Sequence, residues 1–446
     1  MRHAACDDPL HATGASHISP PPRPVPTPRT DGRLGTDFGR LWTASTISNL
    51  GDGLTRTAGP LLAASLTRDP ILVSGVLFAQ TVPWLLFGLL AGAIADRVDR
   101  RRLMAAVDLF RAVAIGALGV AVILDAVSLP LLYVAGFIVG CAETLFDTSA
   151  PAVLPAIVRH HQLERANGRL VGGRTVTNQL LGPPLGGLLF GIALAAPFLI
   201  DAASFAVAAL LVLSLRVRIP IHRSARRTRM RDEIAEGIRW LRGHLLLRGL
   251  VVAIGVMNLT FGSVMAVLVL WAQDRLGLAA LGYGRLIGAS AVGGILGSAV
   301  GPRLIDRFGA GTALRVGLLI EVTTHVVLAL APNAWIAGIM LTIFGVHAVI
   351  WNITVTSLRQ RLVPARMLGR VGSIYDVAAI GSIAIGSLVG GVLASTFGIT
   401  APFWFSAVVI SGLIVVLWPV LGEATDARPI VVDGDVRDPE VTSALR

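Results

Sequence analysis

A chain of 446 residues with 54% hydrophobic and only 15% charged residues, and a mean hydropathy of +0.72, excludes an ordinary soluble domain, where about a quarter of the residues are charged. The net charge of +11 does not indicate nucleic acid, because the basic residues fall in short breaks between apolar runs and form no soluble basic face. All 38 basic residues are arginine, so the chain has neither the lysine of a Walker phosphate loop nor a Schiff-base amine. Its two cysteines, Cys6 and Cys141, build no disulfide framework and no thiolate metal site.

In chain order, residues 1–36 lack the apolar centre of a signal peptide, and the proline run from Pro20 to Pro28 reads as an extended, disordered cytoplasmic tail. Apolar runs that meet the ~20-residue bilayer criterion then recur to the end. The polar breaks place twelve spans, at 38–64, 71–95, 103–124, 129–150, 170–192, 197–215, 249–272, 282–304, 313–331, 334–357, 371–394 and 399–421. They group as a six-helix bundle over 37–215, a basic linker over 216–248 and a second six-helix bundle over 249–421. A last stretch, 422–446, is expected to be a disordered cytoplasmic tail.

Loops after the second, fourth, eighth and tenth spans carry Arg97, Arg100, Arg101 and Arg102, then Arg159, Arg165 and Arg169, then Arg303 and Arg307, then Arg359, Arg361, Arg366 and Arg370. The opposite loops carry Arg68, Arg275 and little else. Short cytoplasmic loops collect arginine, so both termini are expected in the cytoplasm and the chain in the plasma membrane. In the linker, Arg223, Arg226, Arg227, Arg229 and Arg231 precede Ile234, Ile238, Leu241 and Leu245, which recur at helical spacing. That pattern reads as an amphipathic helix on the inner membrane surface, its partner anionic lipid headgroups rather than nucleic acid.

The two halves echo each other. Gly182-Pro183-Pro184-Leu185-Gly186-Gly187 in span five matches Gly386-Ser387-Leu388-Val389-Gly390-Gly391 in span eleven, and Ala196-Pro197-Phe198 matches Ala401-Pro402-Phe403. Asp96-Arg97 after span two matches Asp306-Arg307 after span eight. Two six-span repeats about an axis normal to the membrane are the architecture implied.

Those features, with Gly92-x-x-x-Asp96-Arg97-x-x-Arg100-Arg101 after span two, together resemble the major facilitator superfamily. Asp99 stands where the loop motif usually has glycine. Asn49-Leu50-Gly51-Asp52-Gly53, Leu145-Phe146-Asp147 and Phe198-Leu199-Ile200-Asp201 look like its drug, macrolide and siderophore exporter branch. Gly182-Pro183-x-x-Gly186-Gly187 resembles the exporters' antiporter motif, with Asn178 in place of an earlier glycine. Their Arg-x-x-Gln-Gly phrase is missing and span four has no arginine, so their proton-coupling scheme has no direct counterpart there. The resemblance implies an all-α polytopic membrane protein of twelve transmembrane helices, two six-helix repeats in the major facilitator fold, working by alternating access.

With no nucleotide site in view, proton-driven efflux of an amphipathic small molecule (drug, macrolide or siderophore-like) is the expected activity. Uptake symport or lysolipid transport on the same fold is the alternative. A membrane-embedded enzyme would need a catalytic cluster at a membrane face, and the loops hold no His-rich or metal-spaced set. The chain is read as a monomeric transporter of a small-molecule substrate and protons, with no cofactor and no metal.

Charge inside a bilayer costs at least ~2.5 kcal/mol per residue at mid-helix, so every intramembrane ionisable group is a candidate. Asp52 lies about 15 Å along a helix from Trp42, and Arg56 follows one turn later. Asp52, Arg56 and Glu143 are assigned to proton coupling, with Arg56 expected against Asp52. Asn49, Asn178, Gln179, His347, Trp351 and Asn352 are expected on the substrate cavity, where Trp351 offers an aromatic face. Gly92, Asp96, Arg97, Arg100, Arg101, Asp147, Asp306, Arg307 and Asp376 are assigned to the cytoplasmic gate. The resemblance implies Asp96 beside the start of span eleven near Val371, and Arg100 against Asp147. Gly182, Pro183, Gly186 and Gly187 form the hinge or packing motif. Glu321 with His325 reads as a structural hydrogen bond, and Asp108 with Arg111, Arg174 and Asp201 as scaffold charges.

The topology is testable by thiol labelling in intact cells. Cysteines at Ser128 and Asn333 are expected to react with an impermeant reagent added outside, and one at Ser224 is not. Labelling of Ser224→Cys contradicts the span count.

Overall fold

The computed structural model describes residues 34–95, 98–149, 153–216 and 230–422. Among them every regular element is helical: α1 (Thr36–Leu66), α2 (Pro70–Ala95), α3 (Arg100–Ile123), α4 (Leu129–Ser149), α5 (Leu154–Ile157), α6 (Leu163–Arg174), a π-helical stretch (Thr175–Leu181), α7 (Gly182–Ile192) and α8 (Ala196–Leu213). The chain continues through α9 (Met230–Arg242), α10 (Leu245–Asp274), α11 (Ala280–Phe308), α12 (Ala310–Leu330), α13 (Ala334–Leu362), α14 (Ala365–Phe397) and α15 (Ala401–Gly422). Ten of these helices are long and apolar enough to cross a membrane. In a bilayer each backbone N–H and C=O must be satisfied within the protein, and a helix does so by itself. Two further rods, the 31-residue α1 and the continuous α6–π–α7 rod, are of matching length but richer in polar side chains.

Local chemistry explains the irregular points. Pro183 and Pro184 have no N–H to give, so the carbonyls one turn earlier lose their α-helical donors, and the ladder widens to π geometry over Thr175–Leu181. Asp99, the departure from the loop motif, is the N-cap of α3: its carboxylate accepts from the backbone N–H groups of Arg101 and Arg102. Asn333 caps α13 in the same way.

The halves pack alike. In the first, α1 meets α7 and α8, α2 meets α4, and α3 meets α8. In the second, α10 meets α14 and α15, α11 meets α13, and α12 meets α15. Between the halves, α2 lies along α14 and α7 along α11, the pairing a two-fold repeat demands. Helix α9, expected flat against lipid, docks on the start of α14: Gly237 approaches Ile374 and Arg370, and Glu236 pairs with Arg370 at 2.7 Å.

The hydrophobic core differs at the two ends. Opposite the arginine-rich loops, one continuous cluster joins both halves, including Leu61, Val76 and Phe198 from the first and Leu270, Trp271 and Phe403 from the second. Toward the arginine-rich loops it divides into two separate clusters, one for each half. At the joined end the backbones touch. A side-chain carbon on Gly187 would collide with the Ala280 carbonyl, and one on Gly284 with the Pro183 carbonyl. Ser74 of α2 is fully buried against Gly391 of α14. Arg68, between α1 and α2, pairs with Asp274 and Gln273 at the end of α10. Among the described residues the two halves share one core at the arginine-poor end and keep separate cores at the other.

Gly284→Val is therefore expected to prise α7 from α11, at an overpacking cost of about 1–3 kcal/mol. With Cys6 and Cys141 replaced by alanine, a cysteine at Ser74 should become several times more reactive to an impermeant reagent. An unchanged labelling rate would show that this contact does not hold the end shut.

Candidate functional site

The site grows from α1. Gly51 and Gly53 flank Asp52, and both are pressed against neighbours: a side-chain carbon at Gly51 would strike Asp201 and Ser204 of α8, and one at Gly53 would strike Asn178 and Gly182. The helix is thus pinned on two sides, and its depth is set by a buried hydrogen bond. Thr55 donates to Asp201 Oδ2 at 2.5 Å, and Ser204 donates to Asp201 Oδ1 at 3.3 Å. Asp201 is buried, so these donors satisfy a carboxyl that water does not reach.

Arg56 does not pair with Asp52. It reaches across to α4 and meets Glu143 at 3.3 Å, with 55% of its own side chain and 28% of the glutamate's exposed. The expected Asp52–Arg56 pair is corrected accordingly: two carboxylates compete for one guanidinium, and the one across the helix gap holds it. The charges acting on Asp52 include those of Arg111 and Arg56, of one sign, and of Glu143 and Asp147, of the other. Arg111 comes from α3 and is 2% exposed. Its guanidinium carbon lies 5.4 Å from the Phe146 ring of α4 and 5.2 Å from the Phe205 ring of α8. Asp108, one turn before it, is 3.9 Å away. Asp147 lies in the field of Glu143, Arg174, Arg111 and Arg56.

The chain matches the family described as transmembrane secretion effector over residues 35–445. It belongs to this family of the major facilitator superfamily. Among its relatives, the enterobactin exporter EntS of Salmonella typhimurium is 29% identical over 412 residues, covering 86% of this chain and 92% of that protein. The multidrug efflux pump Tap of Mycolicibacterium fortuitum is 26% identical over 398 residues, covering 85% and 95%. The nucleoside transporter NupG shares the fold with a TM-score of 0.73 at 13% identity, covering 87% of this chain and all of that one.

In this major facilitator transporter the cavity residues expected from sequence separate into two groups. Gln179 and Asn352 are exposed, and Asn49 is half-buried with its amide donating to the Ser45 carbonyl at 2.7 Å. Asn178, His347 and Trp351 are buried. Asn178 is held in the contact with Gly53, and His347 and Trp351 turn toward Gly317 of α12. His347 Nε2 lies 3.0 Å from Glu321 Oε2, and His325 Nε2 lies 3.7 Å from Oε1 of the same carboxylate. The hydrogen bond expected between Glu321 and His325 is made instead by His347, tying α12 to α13, while both His325 ring nitrogens are buried with no hydrogen-bond partner among the described residues.

Of the gate residues, Asp96 and Arg97 lie outside the described residues, and Gly92 falls in the last turn of α2. Arg101 donates to the Leu215 carbonyl, joining the start of α3 to the end of α8. Asp147, expected against Arg100, lies in the field of Glu143 and of Arg174, Arg111 and Arg56. Asp306 and Arg307 close α11, Arg307 lying 5.5 Å from the Phe308 ring. Asp376 lines a cavity of about 280 Å³ at the arginine-rich end of α13 and α14, with Arg359, Gln360 and Thr356. Gly182 and Gly186 receive α1, and Gly187 receives α11. The motif is a double packing face.

The Asp201 hydrogen bonds generate a stability prediction. Asp201→Leu leaves Thr55 without its acceptor and is expected to cost about 1–3 kcal/mol, while Asp201→Asn keeps an acceptor and costs less. Melting curves in detergent rank the two variants, and equal melting temperatures would contradict the role of this contact.

Proposed function

We propose that this transporter exports an amphipathic small molecule by alternating access, driven by proton entry. The observation that carries the reading is Asp52 near the middle of α1, beside an Arg56–Glu143 pair that is partly exposed, in a cluster where Asp52, Asp108, Glu143, Asp147 and Asp201 outnumber Arg56, Arg111 and Arg174. Excess negative charge in a low dielectric is costly, and a proton or a cationic group of the substrate neutralises it. Only one of the two is needed at a time. Their competition couples substrate release to proton uptake.

Export rather than uptake is supported by relatives that are named as an enterobactin exporter and a multidrug efflux pump. We place the protein in the plasma membrane as a monomer, both termini cytoplasmic, with the linker arginines against anionic headgroups. The arrangement described above is then the inward-facing one, and Asp96, Arg100 and Asp147 belong to the gate that closes in the other. Loss of one such contact, worth about 1 kcal/mol near the interface, shifts the balance about fivefold.

Inside-out vesicles test the reading. Accumulation of one member of a panel of macrolides, siderophores and cationic dyes should require a pH gradient with the wild-type protein. Asp52→Asn should abolish gradient-driven accumulation while leaving the protein folded and inserted, because it removes the titratable group with little change in volume. Undiminished gradient-driven accumulation by that variant would overturn the assignment.

A further inference from the structure

We infer that Arg111 of α3 is the residue that positions the proton site, supplying from span three the buried cation that span four lacks. The inference deepens the proton-coupling reading and rests on it. Its basis is depth along the helices. Asp201 and Thr55 are level, because they are hydrogen-bonded. Helices α1 and α8 run in opposite directions, so Asp52, three residues before Thr55, and Phe205, four residues after Asp201, lie at about the same depth, some 4–6 Å nearer the arginine-rich end. Likewise Glu143 is level with Arg56 through their ion pair. Phe146 and Asp147, further along α4, therefore fall at the depth of Asp52. The two rings that sandwich Arg111 are Phe146 and Phe205. Arg111 thus reaches from α3 into the layer that holds Asp52.

A scaffold role alone would look different. A buried arginine that served only to neutralise Asp108 would grip it with short, paired N–H···O bonds. Here the closest approach is 3.9 Å, and both Asp108 oxygens and Arg111 Nε are buried without a hydrogen-bond partner. The guanidinium is held by aromatic faces, which fix its place without consuming its charge. Its field therefore acts on the carboxyls around it.

Those carboxyls and their competing cations come from every neighbouring element. Helix α1 offers Asp52 and Arg56, and α4 offers Glu143 and Asp147. Asp108 lies on α3 itself, Asp201 on α8 and Arg174 on α6. Arg56 is engaged by Glu143 in a half-exposed pair, where solvent screens it. Arg111 is buried, held between rings at the depth of Asp52, and its charge favours the ionised form of that carboxyl.

Infrared difference titration of the purified protein in lipid tests the inference without a transport substrate. The carboxyl band that appears on acidification and is lost in Asp52→Asn reports the site. In Arg111→Gln its midpoint should move to higher pH by about one unit or more, because a neighbouring cation that favoured the ionised form is gone. Arg111→Lys, which keeps the charge, should return most of the shift. If Arg111→Gln fails to insert, the double variant Asp108→Asn with Arg111→Gln removes the orphaned acid too, and the same upward shift is expected in it. An unchanged midpoint in the folded variant overturns the role of Arg111. A wild-type protein with no Asp52-dependent band overturns instead the proton-site reading on which the role rests.

Discussion

The structure depends on how charge is held within a low-dielectric bundle. Asp52, Asp108, Glu143, Asp147 and Asp201 converge on Arg56, Arg111 and Arg174, and the acids are in excess. Each is handled differently. Asp201 is quenched by two hydroxyl donors, and Glu143 by a half-exposed arginine. Among the described residues Asp52 has neither a hydroxyl donor nor an ion-pair partner of its own. A buried pair broken in half is expensive, so such a cluster resists loss of any member yet responds to one added proton. In a transporter that asymmetry is useful, since the energy of occupying the site depends on which arrangement surrounds it.

Around this cluster the packing is of two kinds. Where the halves join, contact is backbone to backbone through glycine, as at Gly187 with Ala280 and Gly284 with Pro183. Small residues give helices within a membrane close van der Waals contact that apolar bulk does not. Where the halves part, each has its own core of large side chains, such as Phe38 and Met104 in one and Leu314 and Leu358 in the other. The halves can separate there without opening either core. On the proposed alternating-access reading, such a contact surface of glycines would form or break as a unit next to cores that stay intact.

Much of this was legible in the chain. Long helices, the repeat and the orientation-bearing arginines follow from composition, because lipid forces each span to be apolar and to satisfy its own backbone. Rotation about a helix axis was not legible. Helix α13 is apolar nearly all round, so nothing in its sequence said that His347 and Trp351 turn toward Gly317 of α12. Gly317 was the missed signal, a gap in one helix sized for a ring from the next. Arg111 was visible as an intramembrane charge, but Asp108 one turn away suggested a local pair. The rings that hold it come from two other helices. Asp99 was seen only as a departure from a motif, although an acid just ahead of an apolar run is a helix start.

Counting protons is the most direct test of the account. Potentiometric titration of purified wild-type protein and of Asp52→Asn, between about pH 8 and pH 4, measures how many protons each binds. The wild type is expected to take up about one more proton than the variant, at the group that α1 carries into the cluster. Superimposable titration curves from two equally folded proteins would contradict it.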